Sequence, residues 1–251
     1  MSLEVQDVAV RFGGVAALAG ISFEVDAGRI TSLIGPNGAG KTTAFNVITG
    51  FLRPARGQVL YEGESLTGLR PFQVAERGIV RTFQKTNVFP QITVFDNVMI
   101  GLHLRGRAGL ISILLGHRRV REEEAKLTTQ AEEILAFVGL APRRNAAAST
   151  LPYGEQRLLE LAIALAARPR LLLLDEPASG MNPAEKTAVM GLIHRIRQQG
   201  VTILLVEHDM RLVMGISDRV IVLHHGQVIA EGAPSDIQSD PQVIRAYLGG
   251  L

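Results

Sequence analysis

The sequence predicts an α/β fold with a mainly parallel sheet as its core, an N-terminal antiparallel β subdomain and an inserted α-helical subdomain. Three observations support this prediction. A glycine-rich loop lies between an apolar segment at 30–34 and a helical pattern that ends near Gly50. The short apolar runs 171–174 and 201–206 are typical of parallel strands that are buried on both faces. Between about 88 and 150 the strand patterns disappear and helical spacing dominates.

Composition limits the class of protein. The chain has 251 residues, a formal charge of +2 and no cysteine. The absence of cysteine excludes a disulfide framework and a thiolate metal site, and the small charge argues against nucleic-acid binding driven by bulk charge. We find no apolar signal segment and no apolar run near the ~20 residues that span a bilayer. We expect a soluble, intracellular chain that meets a membrane only through a partner or a surface.

The first elements are predicted to be antiparallel strands. Apolar residues alternate along 3–10 and again along 21–25, which indicates two strands with one buried face each. Phe12 lies between them and has two interpretations. It is an ordinary core residue, which its spacing alone favours, or it is a platform for a nucleobase, because any base offers a π-face to an aromatic ring.

The glycine-rich loop is the strongest signal in the chain. It consists of Gly35, Pro36, Asn37, Gly38, Ala39, Gly40, Lys41, Thr42 and Thr43. A strand, this pattern and a helix in succession predict a phosphate-binding loop, in which backbone amides and the helix N-terminus face phosphate oxygens. Lys41 then lies on the β- and γ-phosphates, and the Thr42 hydroxyl reaches Mg²⁺. The alternative, a chance glycine turn, is disfavoured by the flanking strand and helix.

Three further elements precede the helical insertion. A short strand and turn are predicted at 57–63, a helix from Pro71 to about Arg77, and a strand at 79–83. Gln84 lies just past that last strand, where a lone glutamine is weak evidence for a site. We therefore expect its role to depend on which other residues lie at the same edge of the sheet.

The insertion contains a basic and apolar segment with two interpretations. The apolar run 110–115 is bracketed by five arginines, at 105, 107, 118, 119 and 121. The segment is either a surface that meets lipid headgroups or a membrane partner, or a solvated basic loop over a small satellite core. The sequence favours neither.

The second half of the chain alternates helices and strands. We predict a helix at 155–167, a strand at 171–174, a helix at 182–200 and a strand at 201–206. Segments at 217–223 and 227–230 and a C-terminal helix from about 242 complete the chain. Such alternation implies a mainly parallel sheet with helices on both faces.

Polar residues follow four of the predicted strands. If these strands share one sheet, the phosphate loop, Gln84, Asp175, Glu176 and His208 lie along one edge, where open α/β sheets bind ligands. Asp175 can hold Mg²⁺ through water, and Glu176 is free to accept a proton from an attacking water. His208 could hydrogen-bond the γ-phosphate, although a lone histidine is more often structural. Two adjacent carboxylates with different roles suit hydrolysis better than nucleotide storage.

With these motifs the chain resembles the ATP-binding subunit of an ABC transporter, a P-loop NTPase, over almost its whole length. The resemblance implies ATP and Mg²⁺ as cofactors and an ATPase coupled to transmembrane transport. It assigns the Walker A loop to 35–43 and the Walker B strand with the catalytic glutamate to 171–176. It makes Gln84 the Q-loop glutamine, which senses Mg²⁺ and nucleotide, and His208 the switch histidine. It also makes Phe12 the aromatic residue that stacks on adenine.

The family's signature motif departs from its usual pattern here. The position that is generally L-S-G-G-Q is occupied by Leu151, Pro152, Tyr153, Gly154 and Glu155. Pro152 replaces the serine that contacts the partner's γ-phosphate, and it has no N–H to offer instead. The Gly154 amide and the following helix N-terminus remain available to an anion. Asn182 stands where many members have an aspartate. We hypothesise that the composite ATP site that uses this signature is weaker than the other.

The resemblance also implies partners. Two ATPase subunits, identical or different, face each other head to tail at the cytoplasmic face of the cell membrane. They drive integral membrane permease subunits and, indirectly, serve a solute-binding protein, with no role for nucleic acid. The whole chain is then one ATP-binding domain, with a core at 1–87 and 158–251 and a helical subdomain at 88–157 that includes the signature.

Several segments resemble the importer branch for branched-chain or other hydrophobic amino acids, among them 81–84, 175–183 and 243–249. Urea and amide importers and the lipopolysaccharide-export ATPase share this pattern, and none of these residues touches the solute.

Two other classes of protein fit the sequence less well. A soluble ABC-type ATPase acting on nucleic acid is disfavoured by the single module without sustained heptads. A phosphate-loop kinase would need an acceptor pocket and usually a cationic lid.

Overall fold

The computed structural model describes residues 2–82, 88–103 and 118–248. Two compact units are present. The first, here called the core unit, comprises Met1–Arg81, Arg170–Gly180 and Lys186–Leu251, and the second, the helical unit, comprises Thr82–Pro169 and Met181–Glu185. The predicted insertion ends at residue 157, inside a helix that the structure keeps whole within the helical unit.

Among the described residues, all the strands belong to the core unit. They are β1 (Leu3–Phe12), β2 (Val15–Val25), β3 (Ile30–Ile34), β4 (Arg56–Tyr61), β5 (Glu64–Ser65), β6 (Ile79–Arg81), β7 (Leu171–Asp175), β8 (Thr202–Val206), β9 (Arg219–His224) and β10 (Gln227–Gly232). The helices are α1 (Lys41–Ile48), α2 (Pro71–Glu76), α3 (Val94–His103), α4 (Arg118–Val138), α5 (Tyr153–Ala166), α6 (Pro183–Gln198), α7 (Met210–Ile216), α8 (Pro234–Ser239) and α9 (Pro241–Leu248). Of these, α7 and α8 were not predicted.

The main sheet has six strands in the order β10-β9-β3-β8-β7-β6. The pairs β9–β3, β3–β8, β8–β7 and β7–β6 are parallel, and only β10 runs antiparallel to its neighbour. Every residue of β3, β7 and β8 is buried, as expected for central parallel strands that are covered on both faces. The prediction that the four strands ahead of the polar residues share one sheet is therefore confirmed. Strand β6 ends at Arg81, and Phe83 lies outside the described residues.

The second sheet is antiparallel, with the order β2-β1-β4-β5, as predicted. Its buried residues in β1 are Leu3, Val5, Val8 and Val10, a spacing that has one residue too many for strict alternation. The structure explains the extra residue, because the β1–β2 register shifts between Val5 and Val8 and Asp7 takes a φ of 48°. A bulge at this point returns the apolar side chains to the buried face.

The helical unit packs α3, α4 and α5 together. Gly101 of α3 lies so close to α5 that a Cβ atom there would be 2.8 Å from the Cβ of Ala166. The predicted basic and apolar segment lies outside the described residues, apart from the backbone of 118–121 at the start of α4. In the described part of the chain, no helix is both long enough and apolar enough to cross a membrane.

Candidate functional site

The phosphate loop leaves the buried end of β3 and enters α1. Gly35, Gly38 and Gly40 have φ values of 149°, 79° and 109°, a region that glycine occupies at little cost. At Gly35 the space is also closed, because an added Cβ would lie 2.1 Å from the carbonyl oxygen of Leu223. The loop therefore has the glycine-dependent backbone that the sequence predicts.

Lys41, the first residue of α1, folds back across the loop. Its Nζ donates hydrogen bonds to the carbonyl oxygens of Gly35, at 2.6 Å, and Pro36, at 3.1 Å. Burial lowers the pKa of Lys41, and the negative charges of Glu176 and Asp175 oppose that shift. The ammonium group is thus a partly desolvated cation beside two carboxylates, in the position where a phosphate-binding lysine is expected.

The start of α1 is open to an anion. Its N-cap is Gly40, which has no side chain with which to accept a hydrogen bond, and the first turn contains no acidic residue. The free amides and the positive end of the helix are therefore not satisfied by a side chain. Thr42, in the same turn, is exposed, so its hydroxyl can reach a metal ion held by a phosphate.

Asp175 ends β7 in a buried ion pair. Its Oδ2 accepts a hydrogen bond from Arg81 at 2.7 Å, and the same guanidinium donates to the Asn46 Oδ1 at 2.7 Å. The Asp175 Oδ1 is buried and has no hydrogen-bond partner among the described residues. An orphaned carboxylate oxygen beside the phosphate loop fits Mg²⁺, which prefers oxygen ligands and is usually held by one or two carboxylates together with phosphates. No group of three His, Cys, Asp or Glu residues in the described ranges would hold a metal alone.

Glu176 and His208 face each other across the ends of β7 and β8. The Glu176 Oε2 lies 3.9 Å from the His208 Nδ1, and the two side chains are 25% and 60% exposed. Glu176 has a φ of 50°, and its amide donates to the carbonyl oxygen of Val206. Both groups are therefore accessible to water at the predicted edge of the sheet, although Asp175, one residue earlier, is buried.

Sequence reasoning missed two side chains near this edge. Glu207 is almost fully buried, and its carboxylate accepts hydrogen bonds from the amides of Ala178, at 3.0 Å, and His208, at 3.2 Å. Tyr247 of α9 lies near the Gly35 backbone, and burial raises the pKa of its phenol. The signal for Glu207 was available, since a charged residue directly after a fully apolar strand requires polar partners.

Two other residues of the predicted site, Phe12 and Gln84, are not among the groups described above. Phe12 ends β1 at the turn into β2, and the residue is 56% exposed. The interpretation of Phe12 as a core residue is therefore wrong, and the ring is free to stack. Gln84 lies outside the described residues.

The signature segment lies in the helical unit. Leu151 is buried, and Pro152 is the N-cap of α5 with no side-chain hydrogen bond. The Tyr153 hydroxyl accepts from Arg157, and Glu155 forms an ion pair with Arg143 at 3.0 Å. These contacts direct the polar groups of residues 153 and 155 into the helical unit's own structure.

Gly154 and Asn182 both lie against the side chain of Glu185. A Cβ at Gly154 would lie 2.7 Å from the Glu185 Oε1, so any larger residue would require the Glu185 carboxylate to move. The Asn182 Oδ1 accepts from the amides of Ala184 and Glu185, and Glu185 in return accepts from the Asn182 amide. This reciprocal cap begins α6, and an asparagine serves it as well as the aspartate expected from the resemblance.

Comparison with known families identifies two matching models. A model described as ABC transporter matches residues 18–179. A second, described as branched-chain amino acid ATP-binding cassette transporter, matches residues 227–250, which include β10, α8 and α9.

Similar proteins cover nearly the whole chain. The high-affinity branched-chain amino acid transport ATP-binding protein BraF of Pseudomonas aeruginosa is 42% identical over 98% of this chain and 97% of its own length. LivG of Escherichia coli, a protein of the same description, is 44% identical with the same coverage. A solved nucleotide-free ATP-binding cassette from an ABC transporter superposes with a TM-score of 0.86, at 34% identity over 99% of both chains.

Proposed function

The chain belongs to the ABC transporter family, and we propose that it is the ATP-hydrolysing subunit of an importer for branched-chain or other hydrophobic amino acids. The observation that carries this proposal is the juxtaposition at one sheet edge of the phosphate loop, the buried Asp175 and the accessible Glu176. Each has the backbone or the environment that its role requires.

ATP binding rests on the loop and on Lys41. The amides of 35–43 and the N-terminus of α1 bind the β- and γ-phosphates, and the Lys41 ammonium exchanges its carbonyl contacts for phosphate oxygens. The exposed Phe12 ring offers a stacking surface for adenine. Mg²⁺, when bound, neutralises charge on the phosphates, and Asp175 through its Oδ1 and Thr42 through its hydroxyl would hold it.

Hydrolysis depends on Glu176. A water placed in line with the γ-phosphorus attacks it, the bond to the bridging oxygen breaks, and ADP leaves with the bond's electron pair. The Glu176 carboxylate accepts the proton that the water loses. The role proposed for His208 is to hydrogen-bond the departing phosphate, and its Nδ1 lies 3.9 Å from the Glu176 Oε2. Water is the acceptor in this proposal, which separates it from a kinase.

Assembly completes the site. We propose that a second ATPase subunit, identical or related, covers the nucleotide with its own signature segment, and that the pair works at the cytoplasmic face of the membrane on permease subunits. The relatives that match are described as transport ATP-binding proteins. The match at 227–250 to the branched-chain amino acid model supports this solute class over urea or lipopolysaccharide.

The test separates the chemistry from the solute. ATP turnover by the full chain should release ADP and inorganic phosphate, with no phosphorylated acceptor. Glu176→Gln should keep ATP binding, lose turnover and trap an ATP-bound dimer. Lys41→Ala should instead lose productive nucleotide binding. Wild-type turnover in Glu176→Gln would move the general base to another residue.

The solute and partners need a second experiment. The chain should co-purify from membranes with permease subunits, and the complex in vesicles should take up leucine but not urea when ATP is supplied on the ATPase side. Uptake of urea in place of leucine would contradict the assigned solute while leaving the ATPase assignment intact.

A further inference from the structure

A buried arginine joins three elements of the core unit. Arg81 is the last residue of β6, and its guanidinium donates to the Asn46 Oδ1 on α1 and to the Asp175 Oδ2 on β7, both at 2.7 Å. The Arg81 and Asp175 side chains are only 6% and 3% exposed. This contact joins the helix that begins with Lys41 and Thr42 to the strand that ends in the metal-binding carboxylate.

The guanidinium is also held by packing. Its central carbon lies 5.3 Å from the centroid of the Phe45 ring, and Phe45 is completely buried. A planar cation that stacks on an aromatic face and donates in two fixed directions has a single orientation available. A lysine ammonium would retain the charge but could not reproduce this fork.

The fixed guanidinium determines the orientation of the Asp175 carboxylate. Its Oδ2 is fixed by Arg81, and its buried Oδ1 has no hydrogen-bond partner among the described residues. Because one oxygen is fixed, the plane of the carboxylate is fixed, and the second oxygen has one direction. Through Asn46, the same guanidinium sets the distance between that oxygen and the first turn of α1, where Thr42 lies.

We propose that Arg81 is a positioning residue for the Mg²⁺ of the nucleotide site, acting through Asp175 and through α1. The inference rests on the proposed function, because it requires that nucleotide and Mg²⁺ bind here. Mg²⁺ demands nearly ideal octahedral geometry at 2.0–2.1 Å, whereas Ca²⁺ accepts longer and more flexible coordination. Looser placement of Asp175 should therefore penalise Mg²⁺ more than Ca²⁺.

Electrostatics alone makes the opposite prediction. A cation 2.7 Å from the Asp175 Oδ2 repels a second cation, so removing its charge would tighten Mg²⁺ binding if charge were its only effect. Arg81→Lys keeps the charge and removes the fork, so it isolates the positioning effect. Arg81→Gln removes the charge as well.

The test measures binding of a fluorescent ATP analogue to the full chain, first in EDTA and then during titration with Mg²⁺ or Ca²⁺. We expect Arg81→Lys to leave affinity in EDTA within about twofold and to raise the Mg²⁺ concentration for half-saturation about tenfold or more. The Ca²⁺ value should change less. A role limited to general stability would move affinity in EDTA and both metals together, which would overturn the proposal.

Matched variants control for ordinary effects of substitution. Arg170→Lys changes a more exposed arginine of the same unit, which pairs with Glu62, and it should leave the metal titration unchanged. If Arg81→Lys does not fold, Asn46→Ala removes only the arm to α1 and should raise the Mg²⁺ requirement by a smaller factor. An unchanged or lowered requirement in a folded variant overturns the inference, whereas a wild-type chain that binds nucleotide without regard to Mg²⁺ overturns the proposed metal site itself.

Discussion

Replacing Glu207 with alanine should slow ATP hydrolysis without weakening ATP binding. The Glu207 carboxylate is buried and accepts the amides of Ala178 and His208. Ala178 lies two residues after Glu176, and His208 bears the ring that faces the Glu176 carboxylate. One buried side chain therefore connects the turn that carries the proposed general base with the histidine across from it. Its hydrogen bonds to described residues go to that turn and that histidine, and not to the phosphate loop.

The contacts give the size of the effect. A hydrogen bond to a charged group contributes about 1.5–3 kcal/mol, and a buried amide left without an acceptor costs about 1–3 kcal/mol. If losing these hydrogen bonds raises the activation free energy of hydrolysis by about 1.5–3 kcal/mol, kcat falls roughly 10- to 150-fold, since each 1.36 kcal/mol is a factor of ten. We expect the free energy of unfolding to fall by about 1–3 kcal/mol as well.

The assay follows phosphate release at saturating Mg²⁺-ATP, together with the dissociation constant of a fluorescent ATP analogue. Glu207→Gln should give an intermediate kcat, because its amide oxygen can still accept from Ala178 while its NH₂ group opposes the His208 amide. Glu231→Gln is the control, since that partly buried carboxylate of β10 pairs with Arg219 instead. A folded Glu207→Ala variant with wild-type kcat would refute the reasoning, as would equal losses in binding and kcat.

Three other predictions follow from the loop and the signature. Gly35→Ala should abolish nucleotide binding, because the added Cβ would meet the Leu223 carbonyl oxygen. At Gly38 an added Cβ would have no atom within 4 Å, so Gly38→Ala should cost only the strain of the positive φ. A thermal melt should show a loss of about 1–3 kcal/mol in the free energy of unfolding for Gly38→Ala. Burial lowers the pKa of Lys41, and a bound phosphate raises it again. The affinity for metal-free ATP should therefore fall as the pH rises through the lowered pKa. In Lys41→Arg the affinity should not change over the same pH range. Pro152→Ser should raise the ATPase rate of the assembled transporter, and an unchanged rate would contradict a weakened composite site.

The elements that carry the site could be predicted because their signals are local. A phosphate loop needs glycine at fixed positions between a strand and a helix, and 35–43 satisfies that requirement within one stretch of chain. The apolar runs that became β7 and β8 are too short and too uniformly apolar for surface elements, so their burial followed from composition. The shared edge of the sheet then followed from parallel strands, whose carboxyl ends lie together.

The contacts between distant segments could not be predicted in the same way. Arg81 and Asp175 are 94 residues apart, and they meet because β6 pairs with β7 in one register, with Arg81 opposite Leu173. A single sequence gives no register between strands that are joined by a long insertion. What it does give is a pair of charged residues at the ends of buried strands, and such charges require partners. The sequence therefore predicts that these charges have partners, but it does not identify the partner residues.

The different roles of Asp175 and Glu176 depend on the backbone between them. Asp175 ends β7 in the plane of the sheet and stays buried, whereas Glu176 turns out of the strand with a φ of 50°. Pro177 disfavours the right-handed helical region for the residue before it, so the chain cannot simply continue into a helix. The left-handed conformation of a glutamate costs of order 1–3 kcal/mol, and it is held by the contact of the Glu176 amide with Val206 and of the Ser179 amide with the Glu176 carbonyl oxygen. The fold thus maintains strain at one residue, and that strained backbone brings the Glu176 carboxylate out to water while the Asp175 carboxylate stays buried at the proposed metal site.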